Sequence, residues 1–272
     1  MLRADAVSFG YDAVEVLRHV SLGVASGGLT GVLGPNGSGK TTLLRLLGGL
    51  RPPSAGQITL DGRDVPTYPR GLLARRMAMV PQETHMAFDY SVLEVVMMGR
   101  YPHLEAFTVE GPIDLEYATH AMTATGTADL ASRSFNTLSG GEKQRVVIAS
   151  ALAQLSSADE ATAGSQVLLL DEPTASLDLA YQLDIAALVR DLNARGITII
   201  ISTHDLNLAA SVCQELVLLR NGGVLASGPT HDVLTEETVR SLYGVEAQVT
   251  QHPAAGHVLV VPLGHPPSRQ DE

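Results

Sequence analysis

The stretch "LTGVLGPNGSGKTTLLRLLGGL", Leu29 to Leu50, changes its apolar period halfway along. Leu29 to Gly34 is a short apolar run suited to a strand buried on both faces. "KTTLLRLLGGL" then repeats its leucines at helical spacing until Gly48 and Gly49 close it. Between them "GPNGSGKT", Gly34 to Thr41, fits the pattern G-x-x-x-x-G-K-[ST], a phosphate-binding loop set between a strand and a helix. Such a loop wraps phosphate in backbone N–H groups at the positive end of the helix. Ser38 and Gly39 are expected to donate N–H groups, Lys40 to reach the β- and γ-phosphates, and Thr41 to offer its hydroxyl to Mg²⁺.

Outward from this stretch, "MAMVPQ" (Met77 to Gln82), "QVLLLDEP" (Gln166 to Pro173) and "ITIIISTHD" (Ile197 to Asp205) read as further strands buried on both faces, separated by helical patterns. That order predicts an α/β fold with a mainly parallel sheet and helices on both sides. Residues 1–30 alternate like strands, and "GQITLDGRDV" (Gly56 to Val65) reads as a hairpin turning at Asp61-Gly62, so an antiparallel β piece is expected near the N-terminus. From about Ser91 to Ala153 the pattern is helical throughout, which predicts an inserted helical subdomain. "SSADEATAGS", Ser156 to Ser165, reads as a surface loop, and the tail after about Leu242 as a peripheral extension with short strands.

Composition bounds the function classes. With 272 residues, 45% of them apolar, the chain can bury a sizeable core. A formal net charge of -11 and the absence of any basic block argue against a broad nucleic-acid footprint. Apolar runs such as "VLLL" fall far short of the roughly 18 residues that span a bilayer, and the N-terminus lacks the pattern of a signal peptide, so a cytosolic location is expected. The single cysteine, Cys213, excludes an internal disulfide framework and reads as a small buried hydrophobe on a helix. The tail histidines His252, His257 and His265 match no standard metal-ligand spacing.

An open α/β sheet displays its ligand groups where its strands end. "VLLLDE" ends with two carboxylates whose side chains must diverge, so they can divide the work. Asp171 is placed for the Mg²⁺ shell, and Glu172 for polarising an attacking water as general base. His204, in "STHD", ends the next strand, where a neutral imidazole can hydrogen-bond the γ-phosphate or orient the water. Gln82, in "VPQE", can bind Mg²⁺ or water through its side-chain oxygen, or cap a strand. "LSGGEKQR", Leu138 to Arg145, is a second candidate anion site: Ser139, Gly140 and Gly141 open a helix, while Ser139 and Glu142 also have capping-box spacing.

"GPNGSGKTT", "VPQ", "LSGGEKQR", "VLLLDEPTASLD" and "STHD" occur in the order and at about the spacings of the ATP-binding-cassette (ABC) ATPases, which the chain resembles over about residues 1–235. The resemblance implies a P-loop NTPase core with an N-terminal antiparallel β subdomain: an ABC ATPase domain over 1–242, its helical subdomain at about 85–153 inserted in a RecA-like core, then an extension over 243–272. It implies that ATP and Mg²⁺ lie on Gly34, Pro35, Asn36, Gly37, Ser38, Gly39, Lys40, Thr41 and Thr42. It also implies a head-to-tail homodimer, with Ser139, Gly140 and Gly141 contacting the partner's γ-phosphate and Asp178 crossing the interface. Tyr11, in "FGYD", matches the aromatic that stacks on adenine, and Gln82 the link from nucleotide to membrane subunit.

The stretch from Gln82 to Leu104 lies where that family receives a helix of the permease. Its run "VLEVVMMGRYPHL" resembles the ATPases of iron-siderophore, haem and cobalamin importers, and the polar insertion at Ser156 to Ser165 resembles the haem branch. The expected role is then a peripheral ATPase on the cytoplasmic side of the inner membrane. It would be bound to integral-membrane permease subunits and reached only indirectly by a periplasmic or lipoprotein binding protein, with no nucleic acid. The alternatives are an ABC ATPase of another transport system, or a soluble one acting on nucleic acid or the ribosome. A catalytically dead module is disfavoured because Lys40, Asp171, Glu172 and His204 are all present.

Overall fold

The computed structural model describes residues 1–12, 14–105, 107–157, 164–175, 177–254 and 256–265. The chain begins as two long antiparallel strands, β1 (Leu2–Tyr11) and β2 (Val14–Val24), whose alternation buries Leu2, Ala4, Leu17 and Val20 on one face. Strand β3 (Leu29–Leu33) is buried throughout and runs through the glycine loop into helix α1 (Lys40–Leu47), which ends at Gly48. Strands β4 (Ala55–Leu60) and β5 (Arg63–Asp64) turn at Asp61-Gly62 and complete an antiparallel sheet in the order β2-β1-β4-β5.

Helix α2 (Arg70–Arg76) leads into β6 (Met77–Val80). Three helices follow, α3 (Val92–Met97), α4 (Pro112–Ala124) and α5 (Gly140–Leu155), with no strand among the described residues between α3 and α5. The chain then alternates: β7 (Val167–Asp171), α6 (Leu179–Ala194), β8 (Thr198–Thr203), α7 (Leu206–Val212), β9 (Glu215–Arg220) and β10 (Gly223–Pro229). The short α8 (Thr230–Val233) and α9 (Glu236–Tyr243) precede a hairpin of β11 (Glu246–Gln251) and β12 (Val258–Gly264). Among the described residues no helix is long and apolar enough to cross a membrane.

The central sheet has the order β10-β9-β3-β8-β7-β6, parallel except for β10 at its edge. Its strands are apolar on both faces because each face has its own core. Val32, Val167, Leu169, Ile200 and Val217 pack with α1 and the antiparallel sheet. Leu33, Leu168, Leu170, Ile199, Ile201 and Leu216 pack with residues of α3 to α7. Each such fully buried side chain stabilises the sheet by about 2 kcal/mol. The registers Leu33↔Thr203, Asp171↔Ser202 and Val80↔Leu170 bring the C-terminal ends of β3, β8, β7 and β6 to one edge.

Two details depart from expectation. Cys213 is not on a helix but caps the C-terminal end of α7; it is buried, and burial pushes its thiol up to about 12. The tail is less peripheral than its punctuation implies, because Ala247, Val258 and Val260 belong to the same core as β8 and α7. The expected surface loop at Ser156 to Ser165 falls largely outside the described residues.

Candidate functional site

The sheet edge is a site because the glycine loop leaves β3 with room only for backbone. A Cβ on Gly34 would lie 2.4 Å from the carbonyl oxygen of Leu219, and Gly39 takes φ +103° immediately before α1, a conformation that favours glycine. The first N–H groups of α1 have no intrahelical acceptor and open onto this loop. Lys40, the first residue of α1, is 5% exposed; its Nζ donates to the carbonyls of Gly34 (2.9 Å) and Pro35 (3.4 Å) and pairs with Glu172 Oε1 at 3.1 Å. The hydroxyl of Ser38 is buried with no partner among the described residues.

At the end of β7 the two acidic residues diverge. Asp171 is buried, and its Oδ1 accepts hydrogen bonds from Thr41 Oγ1 (3.1 Å) and Ser202 Oγ (2.7 Å). Glu172 follows at φ +45°, in the left-handed region, and its N–H donates to Ser202 Oγ (3.0 Å) and to the Ser202 carbonyl (3.1 Å). A strained backbone at such a position persists only where the surroundings fix it, and Ser202 does so here. Glu172 Oε2 lies 3.0 Å from His204 Nδ1, so Lys40, Glu172 and His204 form one chain of charged and polar contacts.

These groups line a cavity of about 710 Å³ together with Tyr11, Asn36, Thr42 and Gln82. Tyr11 is 37% exposed, its ring standing edge-on to Phe9 at 5.0 Å. Hydrogen bonding to Thr42, then to Arg45, holds its hydroxyl below the usual tyrosine range against the opposing effect of burial. The cavity fits a nucleoside triphosphate, since an aromatic ring, the glycine loop, the Lys40 ammonium and the Glu172 carboxylate all line it. Thr41, Asp171 and Gln82 offer hard oxygen donors of the kind that suits Mg²⁺, which is usually held by one or two carboxylates together with phosphate oxygens and water.

The other group of expected site residues lies elsewhere. Ser139, Gly140, Gly141 and Asp178 are absent from the cavity lining. Ser139 caps α5: its Oγ accepts from Glu142 N–H (3.3 Å) while its own N–H donates to Glu142 Oε2 (2.8 Å), so the capping box forms. Gly140 is exposed, but Gly141 is buried beneath Tyr181, whose ring leaves no room for a Cβ. Asp178 stands exposed at the N-cap of α6 with no side-chain cap bond. Ser202 is a site residue that the motifs do not reveal. It is fully buried and joins Asp171 to Glu172, and the only sequence signal was its place two residues before His204.

Residues 17–175 match the family model described as ABC transporter. The chain is similar to the ferric enterobactin transport ATP-binding protein FepC of Escherichia coli (strain K12), 39% identical over 264 residues that cover 97% of this chain and 94% of that one. It is 41% identical to the hemin import ATP-binding protein HmuV of Gloeobacter violaceus over 264 residues, again covering 97% and 94%. Among solved structures, a chain assigned to the metal-chelate type of ABC transporter, in an inward-facing conformation, superposes with a TM-score of 0.82 at 31% identity and covers 96% of each chain.

Proposed function

This chain belongs to the ABC transporter family and is an ATP-hydrolysing cassette, and on that premise we propose that it is the energy-coupling subunit of an importer of metal chelates, of the iron-siderophore, haem or cobalamin kind. The observation that carries the catalytic part is the contact chain Lys40–Glu172–His204 on the same sheet edge as Asp171 and the glycine loop. The carbonyls beneath Lys40 and the first N–H groups of α1 leave one region where a triphosphate is bound from several sides at once.

Lys40 has two anionic partners within its reach, Glu172 and a bound γ-phosphate. When it turns to the phosphate, Glu172 Oε1 is released from the ion pair and is free to accept a hydrogen bond from water. Glu172 then takes a proton from the attacking water as the water oxygen bonds to the γ-phosphorus and the bond to the β-phosphate oxygen breaks. His204 holds Glu172 on one side and orients the water or the γ-phosphate on the other. Thr41, Asp171 and Gln82 would hold Mg²⁺, which neutralises charge on the phosphate oxygens. Tyr11 offers the adenine a ring face, a contact of about 1 kcal/mol.

Ser139, Gly140, Gly141 and Asp178 are assigned to the site of a second copy, in a head-to-tail homodimer, because none of them lines the chain's own cavity while Ser139, Gly140 and Asp178 are exposed. Gln82 to Leu104 is assigned to the permease. A groove of about 680 Å³ lined by Tyr90, Leu93, Met97, Tyr101 and Leu115 supports that reading. The protein then works as a peripheral subunit on the cytoplasmic side of the inner membrane, and a binding protein delivers cargo to the permease, not to this chain.

The test is Glu172→Gln, which keeps the shape and removes the base. The variant should bind ATP with near wild-type affinity and turn over about 10²–10⁴-fold more slowly. Near-normal turnover would overturn the general-base assignment. Failure of the tagged chain to co-purify with a polytopic membrane protein from detergent extracts would overturn the importer assignment.

A further inference from the structure

His204 has to stand against Glu172 for the proposed site to work, yet β8, which carries it, ends one residue earlier. His204 is 57% exposed at its side chain, and the segment after it is the two-turn α7, too short to hold its own shape without tertiary contacts. The turn has local support: Asp205 caps α7 by accepting the N–H groups of Asn207 (2.9 Å) and Leu208 (3.0 Å), and its own N–H donates to Thr203 Oγ1 (3.1 Å). None of these contacts reaches the outer side of the turn.

The C-terminal hairpin does. The Asn207 side chain pairs with the backbone of Val260 on β12 at both of its polar atoms: Nδ2 donates to the Val260 carbonyl (3.1 Å), and Oδ1 accepts the Val260 N–H (2.8 Å). The amide thus behaves as one more residue of a strand ladder, and a helix turn is fastened to a sheet edge. Tyr243, the last residue of α9, donates its hydroxyl to the carbonyl oxygen of His204 itself, at 3.4 Å. Burial, with help from Asp205 and Glu172, pushes this phenol up to about 12, so it stays a donor at every working pH. Ala247, Val258 and Val260 sink into the core shared with β8 and α7, which anchors the hairpin so that it can hold something else in place.

We propose that the C-terminal segment from α9 to β12 is a brace for the catalytic histidine. In this reading Asn207 and Tyr243 are positioning residues that hold the His204 turn so that its imidazole meets Glu172. The inference rests on the proposed roles of Glu172 and His204 and deepens that reading by giving the extension a task in the reaction. It separates two properties of the site. The glycine loop and Tyr11, which bind nucleotide, touch neither Asn207 nor Tyr243, so loosening the brace should slow hydrolysis and leave binding alone.

The experiment uses the full-length chain. Asn207→Leu removes both hydrogen bonds while keeping the branched shape of the side chain, and Tyr243→Phe removes only a hydroxyl, so the second variant carries the test if the first folds poorly. Expected is a fall in kcat of about tenfold for Asn207→Leu and about threefold for Tyr243→Phe, with KM and the affinity for a fluorescent ATP analogue within about twofold of wild type. In a His204→Ala background the same substitutions should change kcat by less than about twofold, because their effect passes through His204. An unchanged kcat, a loss that appears in KM, or a full loss that persists on top of His204→Ala would overturn the brace. A wild-type rate that His204→Ala leaves untouched would instead overturn the site reading, and the two failures are thereby distinguishable.

Discussion

Ser202 shows how much of the candidate site's geometry depends on a buried side chain outside the cavity lining. Its hydroxyl has two tasks, donating to Asp171 and accepting the N–H of Glu172, whose backbone sits at φ +45°. Ser202→Ala leaves a buried carboxylate one donor short, and should cost about 1–2 kcal/mol in denaturant unfolding. The same change should lower kcat about tenfold and raise the Mg²⁺ concentration needed for half-maximal rate. A variant with unaltered Mg²⁺ dependence would show that Ser202 supports the fold and not the site. Lys40, Asp171, Glu172 and His204 were legible in the sequence because each follows directly from a motif or an apolar strand, and a parallel sheet must gather such ends at one edge. Ser202, Asn207 and Tyr243 were not, because their roles consist of contacts between segments that no local pattern encodes.

At the scale of elements, the two helix starts that carry glycine motifs are built differently. The start of α1 has no side-chain cap and needs φ +103° at Gly39, which leaves its N–H groups available. At the start of α5 the capping box occupies the N–H groups of Ser139 and Glu142, and the Ser139 N–H and hydroxyl hold the Glu142 carboxyl below its ordinary value. Ser139→Ala should therefore cost about 1 kcal/mol of stability, read as a small shift of the unfolding midpoint. A second element junction is acid-sensitive. Asp61, at the β4–β5 turn, is partly buried, which by itself raises its pKa. Hydrogen bonds from the Met1 ammonium, the Arg76 guanidinium and Ser165 outweigh that and hold it far below the ordinary carboxylate range. A depressed folded-state value stabilises above the unfolded pKa of about 4 and is lost as pH falls toward the folded one. Unfolding midpoints should thus drop below about pH 4, and Asp61→Asn should flatten that dependence while lowering stability at pH 7. The tail hairpin was the element least legible beforehand. Pro, Gly and His interrupt its apolar alternation, and Ala247, Val258 and Val260 are buried in a core shared with distant elements.

At the scale of the molecule, the phosphate loop opens on a cavity that contains no residue of the α5 start, and the proposal makes each of them half of a site completed by a second copy. If those halves combine only between copies, two inactive variants should rescue each other. Lys40→Ala destroys the loop and spares Ser139, whereas Ser139→Arg spoils the α5 start and spares the loop. In a mixed head-to-tail pair, the intact loop of one copy faces the intact Ser139 of the other, while the second site carries both defects. Equal mixing makes half of the pairs mixed, each with one sound site of two, so the rate should recover to about a quarter of wild type where the sites act independently. Each variant alone should stay inactive at every concentration, and the recovered rate per chain should fall on dilution as pairs separate. If Ser139 instead served the loop of its own chain, no mixture could contain a sound site. Steady-state ATP hydrolysis across mixing ratios therefore decides between a site within one chain and a site shared by two.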